Sequence, residues 1–147
     1  MAEFLRERNG YTLSDDPARL DLAVIHGFLR DSYWANSRSE ATQTRANQNS
    51  LCIGLYRGAE QVGFARVISD YASFAYLCDV FVLEAHRGRG LGDWLIAGVQ
   101  AHPRLQGLRR WSLATRDAHG LYARHGWTPL PTPEIWMQKF DDQANPA

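Results

Sequence analysis

The feature that most constrains this chain is a handover from strand to helix. A long apolar run, Phe74 to Leu83, is followed after a few residues by Leu91, Leu95 and Val99, spaced four apart as on one face of a helix. Between them lies Arg87-Gly88-Arg89-Gly90-Leu91-Gly92. Glycines in such a turn let backbone N–H groups converge on one point, and the unpaired amides of a helix N-terminus favour negative charge. Two arginines beside them suit a phosphate. Two other phosphate loops are excluded. A Walker A loop ends in Gly-Lys-Ser/Thr, yet the only lysine is Lys139, and a dinucleotide G-x-G-x-x-G needs glycine where Asp93 stands.

The rest of the chain supplies a sheet and its covering helices. Tyr11 to Leu13 reads as a short first strand. Pro17 then opens a helix with Leu20, Val24 and Phe28, backed by Leu22, Ile25 and Leu29, on its buried stripe. Ser37 followed by Glu40 has the spacing of a capping box for a second, mostly polar helix to about Gln48, expected on the surface. From Leu51 the pattern becomes an antiparallel meander of LCIGLY, QVGFARVIS and FAYLCDVFVL, turning at Arg57 to Glu60. After the helix that ends near His102-Pro103 come a strand in WSLAT, a short helix AHGLYARH stopped by Gly126, and a last strand in IWMQKF. The class is α/β with a mixed, mostly antiparallel sheet of six to seven strands and about four helices.

With 147 residues the chain is expected to form one domain, 1–147, with its core at about 11–140 and the DDQANPA tail loose. Sixteen basic residues balance sixteen acidic ones, so no overall field draws nucleic acid or an anionic membrane. No apolar run is long enough to span a bilayer, and a cytoplasmic location is expected. Cys52 and Cys78 lie within apolar runs and read as reduced thiols; no metal site is expected.

The stretch DVFVLEAHRGRGLGDWL resembles the cofactor-binding signature of the GNAT superfamily of N-acetyltransferases, Arg/Gln-x-x-Gly-x-Gly/Ala, through Arg87, Gly90 and Gly92. Downstream, Ala118, Leu121, Tyr122, Gly126 and Trp127 resemble that family's A-x-x-L-Y-x-x-x-G-F segment, with Trp in place of Phe. The resemblance implies two splayed parallel strands, FAYLCDVFVL and WSLAT, with acetyl-CoA between them. Its pantetheine arm would meet the backbone of Val80, Phe81 and Val82, its diphosphate would meet Arg87, Gly88, Arg89, Gly90, Leu91 and Gly92, and Thr115 would stand where the family often has Asn.

The implied reaction is direct attack of an amine on the thioester. The Val80 N–H would then donate to the thioester oxygen and Tyr122 would protonate the departing thiolate. The base is open: Asp79 if a bulge turns it toward the cleft, or Glu84, Asp70 or a water chain. Polyamine-type relatives carry an acidic pair where this chain has Cys78-Asp79. The acceptor, a small-molecule or peptide amine, is placed by the resemblance beside Tyr33 and Trp34, which either hold it or cap the core. Arg38, Arg45 and Arg66 offer an alternative site for an acidic acceptor. His119 and His125 are possible proton shuttles near Tyr122. A homodimer is compatible with all of this. Cys78 in place of an acid motivates a second reading, a non-catalytic acyl-CoA-binding module.

Overall fold

A computed structural model describes residues 2–144. The expected looseness of the DDQANPA tail falls partly on 145–147, outside the described residues. The sheet has six strands in sequential order: β1 (Leu5–Arg8), β2 (Tyr11–Ser14), β3 (Leu51–Arg57), β4 (Glu60–Ser69), β5 (Phe74–Val82) and β6 (Arg110–Ser112). Neighbours are antiparallel except β5 and β6, which run parallel. Four helices cover it: α1 (Leu22–Leu29), α2 (Glu40–Gln48), α3 (Leu91–Gln100) and α4 (His119–Ala123). The expected mixed α/β class therefore stands.

Side-chain alternation along the strands builds a core on each face of the sheet. Ile53, Leu55, Ala65, Val67 and Leu77 face α3, where Leu91, Leu95, Ile96 and Val99 meet them. Cys52, Phe64 and Phe81 face the other way, against Ile25 and Leu29 of α1. Each such Leu or Ile contributes about 1.5–3 kcal/mol by leaving water. Close approach of α3 depends on Gly98, where a Cβ would fall 2.6 Å from Leu13 Cδ1.

Several elements differ from the sequence expectation. β1 was not foreseen; it pairs with β2 through Asn9-Gly10, whose φ values of 51° and 83° suit the mirror-image hairpin turn that Asn-Gly favours. Pro17 opens only a 3-10 turn, Pro17–Arg19, and α1 starts later, with the Asp21 carboxylate accepting from the amides of Ala23 and Val24. α2 is capped by Ser39, which accepts from the Thr42 amide, so Ser37 is not the cap. It lies on the surface as expected, with Glu40, Ala41, Arg45 and Gln48 exposed, but its inner stripe is polar too, because Gln43 and Asn47 are buried. Of the expected WSLAT strand only Trp111 and Ser112 pair in the sheet, as part of β6. IWMQKF forms no strand: Pro133–Ile135 is a 3-10 turn and Trp136 to Phe140 lie outside the sheet. Its local pattern suits a strand, but no neighbour edge of the same chain pairs with it.

Candidate active site

The site begins with a fault in the sheet. Phe64 pairs with Phe81 and Arg66 with Cys78, so two steps along β4 match three along β5. The extra residue is a bulge in which Asp79 takes a φ of 54°, and neither Asp79 nor Val80 has a ladder partner on β4 or β6. β5 and β6 pair only from Phe74 to Tyr76 against Arg110 to Ser112. Beyond that point they separate, and a cleft of about 840 Å³ opens between Leu77 to Phe81 on one side and Leu113 to Thr115 on the other.

At one mouth lies the glycine loop. Gly88 and Gly90 have φ values of 79° and 75°, which L side chains rarely adopt, and Gly90 in this left-handed conformation caps α3. No side chain takes up the first amides of α3 there. The Arg87 Nε donates to the Val82 carbonyl at 2.9 Å, which ties the loop to the strand end. Asp93, in the first turn, is drawn away by Arg124 (3.1 Å) and His125 (2.8 Å), and these contacts hold its pKa below the usual carboxylate range. His125 is thus committed to Asp93. The unforeseen β1 adds Arg8, whose Nη2 lies 3.5 Å from where a Gly90 Cβ would be and whose guanidinium lies 5.8 Å from the Trp94 ring centroid. Asn9-Gly10 was the sequence signal that could have placed it. His86 Nδ1 and the Tyr11 hydroxyl, 2.9 Å apart, hold β2 against the same loop.

Tyr33, Trp34, Asp79, Val80, Phe81, Arg87, Thr115 and Tyr122 all line the cleft, whereas Val82 and Gly88 to Gly92 sit beside it. Tyr122 is buried, and its hydroxyl makes no hydrogen bond among the described residues. Burial, assisted by Tyr33 and Cys78, pushes its pKa up to about 12, so it keeps its proton at neutral pH. The Thr115 Oγ1 accepts from the Ala118 amide at 3.1 Å and so orders the entry to α4, while its own proton remains to be donated.

The α1–α2 loop forms the outer wall. The Tyr33 hydroxyl accepts from the Arg116 amide at 2.9 Å, spanning from this loop to the one before α4, and the Arg116 guanidinium lies 3.9 Å from the Tyr33 ring centroid. Trp34 packs edge-on against Tyr33 and near Phe28, which stacks on Phe81 with ring centroids 4.1 Å apart. Asp31 and Asp117 also line the cleft, and neither carboxylate is hydrogen-bonded among the described residues. No spacing in the sequence joins these two, because the fold alone brings their loops together.

Asp79 needs a correction. The bulge does turn it, but into a closed polar cluster: its side chain is fully buried, Oδ1 accepts from Trp34 Nε1 at 2.9 Å, and Oδ2 accepts from Arg66 Nε at 2.8 Å, Arg38 Nη1 at 2.9 Å and Gln43 Nε2 at 3.3 Å. Burial pushes the carboxyl up, but the charges of Arg66 and Arg38 and the hydrogen bonds from Arg66 and Trp34 outweigh it and hold the pKa below the ordinary value. A carboxylate occupied by four donors is a poor proton acceptor. The same contacts commit Arg38 and Arg66, which cannot serve as a free site for an acidic acceptor. Burial pushes the neighbouring Cys78 thiol up to about 11, so it is no thiolate at neutral pH. Asp70 accepts from Ser73 and the amides of Ala72 and Phe74 and organises the β4–β5 turn. Glu84 lies in the turn before the glycine loop and does not line the cleft.

A bulged strand, a splayed parallel partner and an uncapped helix start at the mouth of their cleft define an acyltransferase of the GNAT type, and comparison with known proteins agrees. The family described as "Acetyltransferase (GNAT) domain" matches residues 48–129. A Gibberella zeae protein carrying the name "putative acetyltransferase" is 33% identical over 141 residues, 80% of this chain and 78% of that protein. A crystal structure of a GNAT-family protein from Xanthomonas campestris pv. campestris superposes with a TM-score of 0.90 at 49% identity, covering 96% of this chain and 100% of that one. N-alpha-acetyltransferase 80 of Mus musculus is 29% identical over 111 residues, 67% of this chain but 35% of that protein. This chain belongs to the GNAT acetyltransferase family. Among the described residues no helix is long and apolar enough to cross a membrane.

Proposed function

We propose that the protein transfers an acetyl group from acetyl-CoA to a primary amine, acting as one domain. The observation that carries this reading is one cleft in which the unpaired backbone of Val80 and the free hydroxyl of Tyr122 lie together, with Arg87 and the uncapped start of α3 at its mouth. The donor fits on this chain's own terms. Exposed amides with Arg87, Arg89 and Arg8 suit a diphosphate, and the cleft between β5 and β6 has room for an extended pantetheine arm. When bound, acetyl-CoA supplies the acyl thioester.

The Val80 N–H, beside the bulge, would donate to an acyl oxygen, a contact worth about 3 kcal/mol when aimed at developing charge. The Tyr122 O–H can give its proton to a departing sulfur. Asp79 positions rather than reacts, because its bonds fix Trp34 on the outer wall and the bulge next to Val80. The acceptor is cationic before it reacts. Arg116 already occupies one face of the Tyr33 ring, so an ammonium is left to Trp34 and to the carboxylates Asp31 and Asp117. Its surplus proton leaves through water in the open cleft. Free Cys52 and Cys78 support a reducing, cytoplasmic setting.

One observation favours a second reading, a non-catalytic acyl-CoA-binding module: Asp79 is closed to proton transfer. The test is thiol release from acetyl-CoA across a panel of amines, with CoA affinity measured by calorimetry. Turnover should be multiple with at least one cationic amine, and Tyr122→Phe should lower kcat by about a hundredfold or more with CoA affinity unchanged. Tight CoA binding with no turnover anywhere on the panel would favour the module instead.

A further inference from the structure

The outer end of the cleft carries charge that acyl transfer itself does not use. The Tyr33 hydroxyl accepts from the Arg116 amide at 2.9 Å and so closes a strap across the cleft, from the α1–α2 loop to the loop before α4. Each foot of this strap has a carboxylate: Asp31 stands shortly before Tyr33, and Asp117 follows Arg116. Both line the cleft and are exposed, and neither carboxylate accepts a hydrogen bond or joins an ion pair among the described residues. The guanidinium groups that line the cleft are engaged elsewhere. Arg87 Nε donates to the Val82 carbonyl at 2.9 Å, and Arg116 lies over the Tyr33 ring, 3.9 Å from its centroid. The outer end therefore keeps two negative charges with no cation paired to them.

A second observation points into the same cleft. Tyr122 is 8% exposed and its hydroxyl has no hydrogen-bond partner among the described residues, yet it is not one of the unpaired atoms sealed from water there, which are Asn47 Nδ2, Tyr56 Oη and Ser112 Oγ. Its hydroxyl therefore opens on the cleft and is left for a ligand atom. Phe28, Tyr76, Leu113 and Ala114 line the cleft as well, an apolar wall that suits methylene groups. An amine attacks a thioester only after losing its surplus proton. A carboxylate paired with that nitrogen would stabilise its charged form and oppose the loss. Asp31 and Asp117 thus suit a charge that persists through the reaction, on a group other than the nucleophile.

We infer that the acceptor is a slender diamine, an inference that rests on the acetyl transfer proposed above: one nitrogen reacts beside Tyr122 while the other, still an ammonium, is held by Asp31, Asp117 and the face of Trp34. The strap between Tyr33 and Arg116 favours an unbranched chain over a bulky acceptor, because the loops on the two sides of the cleft are tied together. The neutral nitrogen forms the C–N bond as the C–S bond breaks. Tyr122 gives its proton to the sulfur, the nitrogen releases one to water, and water restores the phenol. The distal ammonium takes no part in these transfers, so its pairing with the two carboxylates holds from binding to release.

The test compares diaminobutane with butylamine and with aminobutanol, whose hydroxyl replaces the distal ammonium, as acceptors for the full chain. The kcat/KM for the diamine should exceed that of either analogue by about tenfold, a modest factor because the carboxylates are exposed to water, and added salt should shrink the preference. Asp31→Asn with Asp117→Asn should bring the ratio close to one, mainly through KM for the diamine. Both side chains are exposed and make no hydrogen bonds, so the variant should keep its cooperative melting. Calorimetry of diaminobutane with protein saturated by coenzyme A reads the same subsite without turnover, and the heat should vanish in the double variant. Equal use of all three amines would overturn the diamine while leaving acetyl transfer in place. If no amine turns over, the transfer reading fails, and calorimetry alone decides: diamine binding that needs the two carboxylates upholds the subsite, and its absence, or its persistence in the variant, overturns it.

Discussion

Asp79→Asn separates the two roles a carboxylate at this position could have. The substitution keeps the side chain's shape, removes its charge and turns one acceptor oxygen into a donor facing other donors. If the amide oxygen takes the Oδ2 place, the amide nitrogen faces Trp34 Nε1; if it takes the Oδ1 place, the nitrogen faces Arg66, Arg38 and Gln43. Either way Arg66, itself buried, loses its counter-charge. Unpairing one partner of a buried ion pair costs about 3–5 kcal/mol, and the partial exposure of Arg38 argues for the low end. At about 3 kcal/mol and about 3 °C per kcal/mol for a chain of this size, the melting temperature at neutral pH should fall by about 9 °C. Since the folded pKa is held below its unfolded value, the stabilisation from Asp79 is complete above about pH 4 and disappears as pH falls through the folded pKa. The difference between wild type and variant should therefore shrink in acid. Melting curves at neutral and acidic pH, together with kcat and KM against pH, decide the matter. A variant that melts within about 2 °C of wild type, while kcat collapses and the acidic limb of its pH profile vanishes, would make Asp79 the base and refute the positioning role.

Two further substitutions probe the loop. Gly90→Ala forces a side chain into a φ of 75° beside the Arg8 guanidinium, and should cost about 1–2 kcal/mol in stability and weaken CoA binding, read by calorimetry and thermal melts. Arg8→Gln should weaken CoA and dephospho-CoA alike, by about tenfold, while leaving pantetheine unaffected, since only the first two carry the diphosphate; equal affinity for CoA in wild type and variant would remove Arg8 from the cradle.

What was legible in the sequence was what local patterning dictates. The β3 to β5 meander, the glycine loop and α3 all follow from the periods of their apolar residues, and the structure has them at nearly the expected bounds. The bulge at Asp79 was not legible beyond a possibility, because it arises from a count of residues on β4 against β5, and no single segment carries that count. The inner stripe of α2 was hidden for a related reason. It is polar because Gln43 meets a carboxylate that comes from another element, and no pattern within the helix names that partner. The hairpin from β1 to β2 had its mark in Asn9-Gly10, and with it Arg8 could have been set beside the loop. IWMQKF was expected as a last strand and forms none, because its apolar pattern carries no information on whether a sheet edge is there to pair with.

The closure of Asp79 also shapes the chemistry. On the proposed reaction, with no carboxylate both buried and free in the cleft among the described residues, the acceptor's proton would be lost to water and the rate should rise with pH as more of the amine is neutral; a lysine-like amine has its midpoint at about 10.4. The general acid must stay protonated through the same range. Tyr122 meets that demand because burial pushes its pKa up to about 12. An ordinary phenol, at about 10, would lose its proton as the amine loses its own. Burying the acid while leaving the acceptor side open to water keeps a protonated phenol and a neutral amine together over a wider pH interval than a solvated tyrosine would permit.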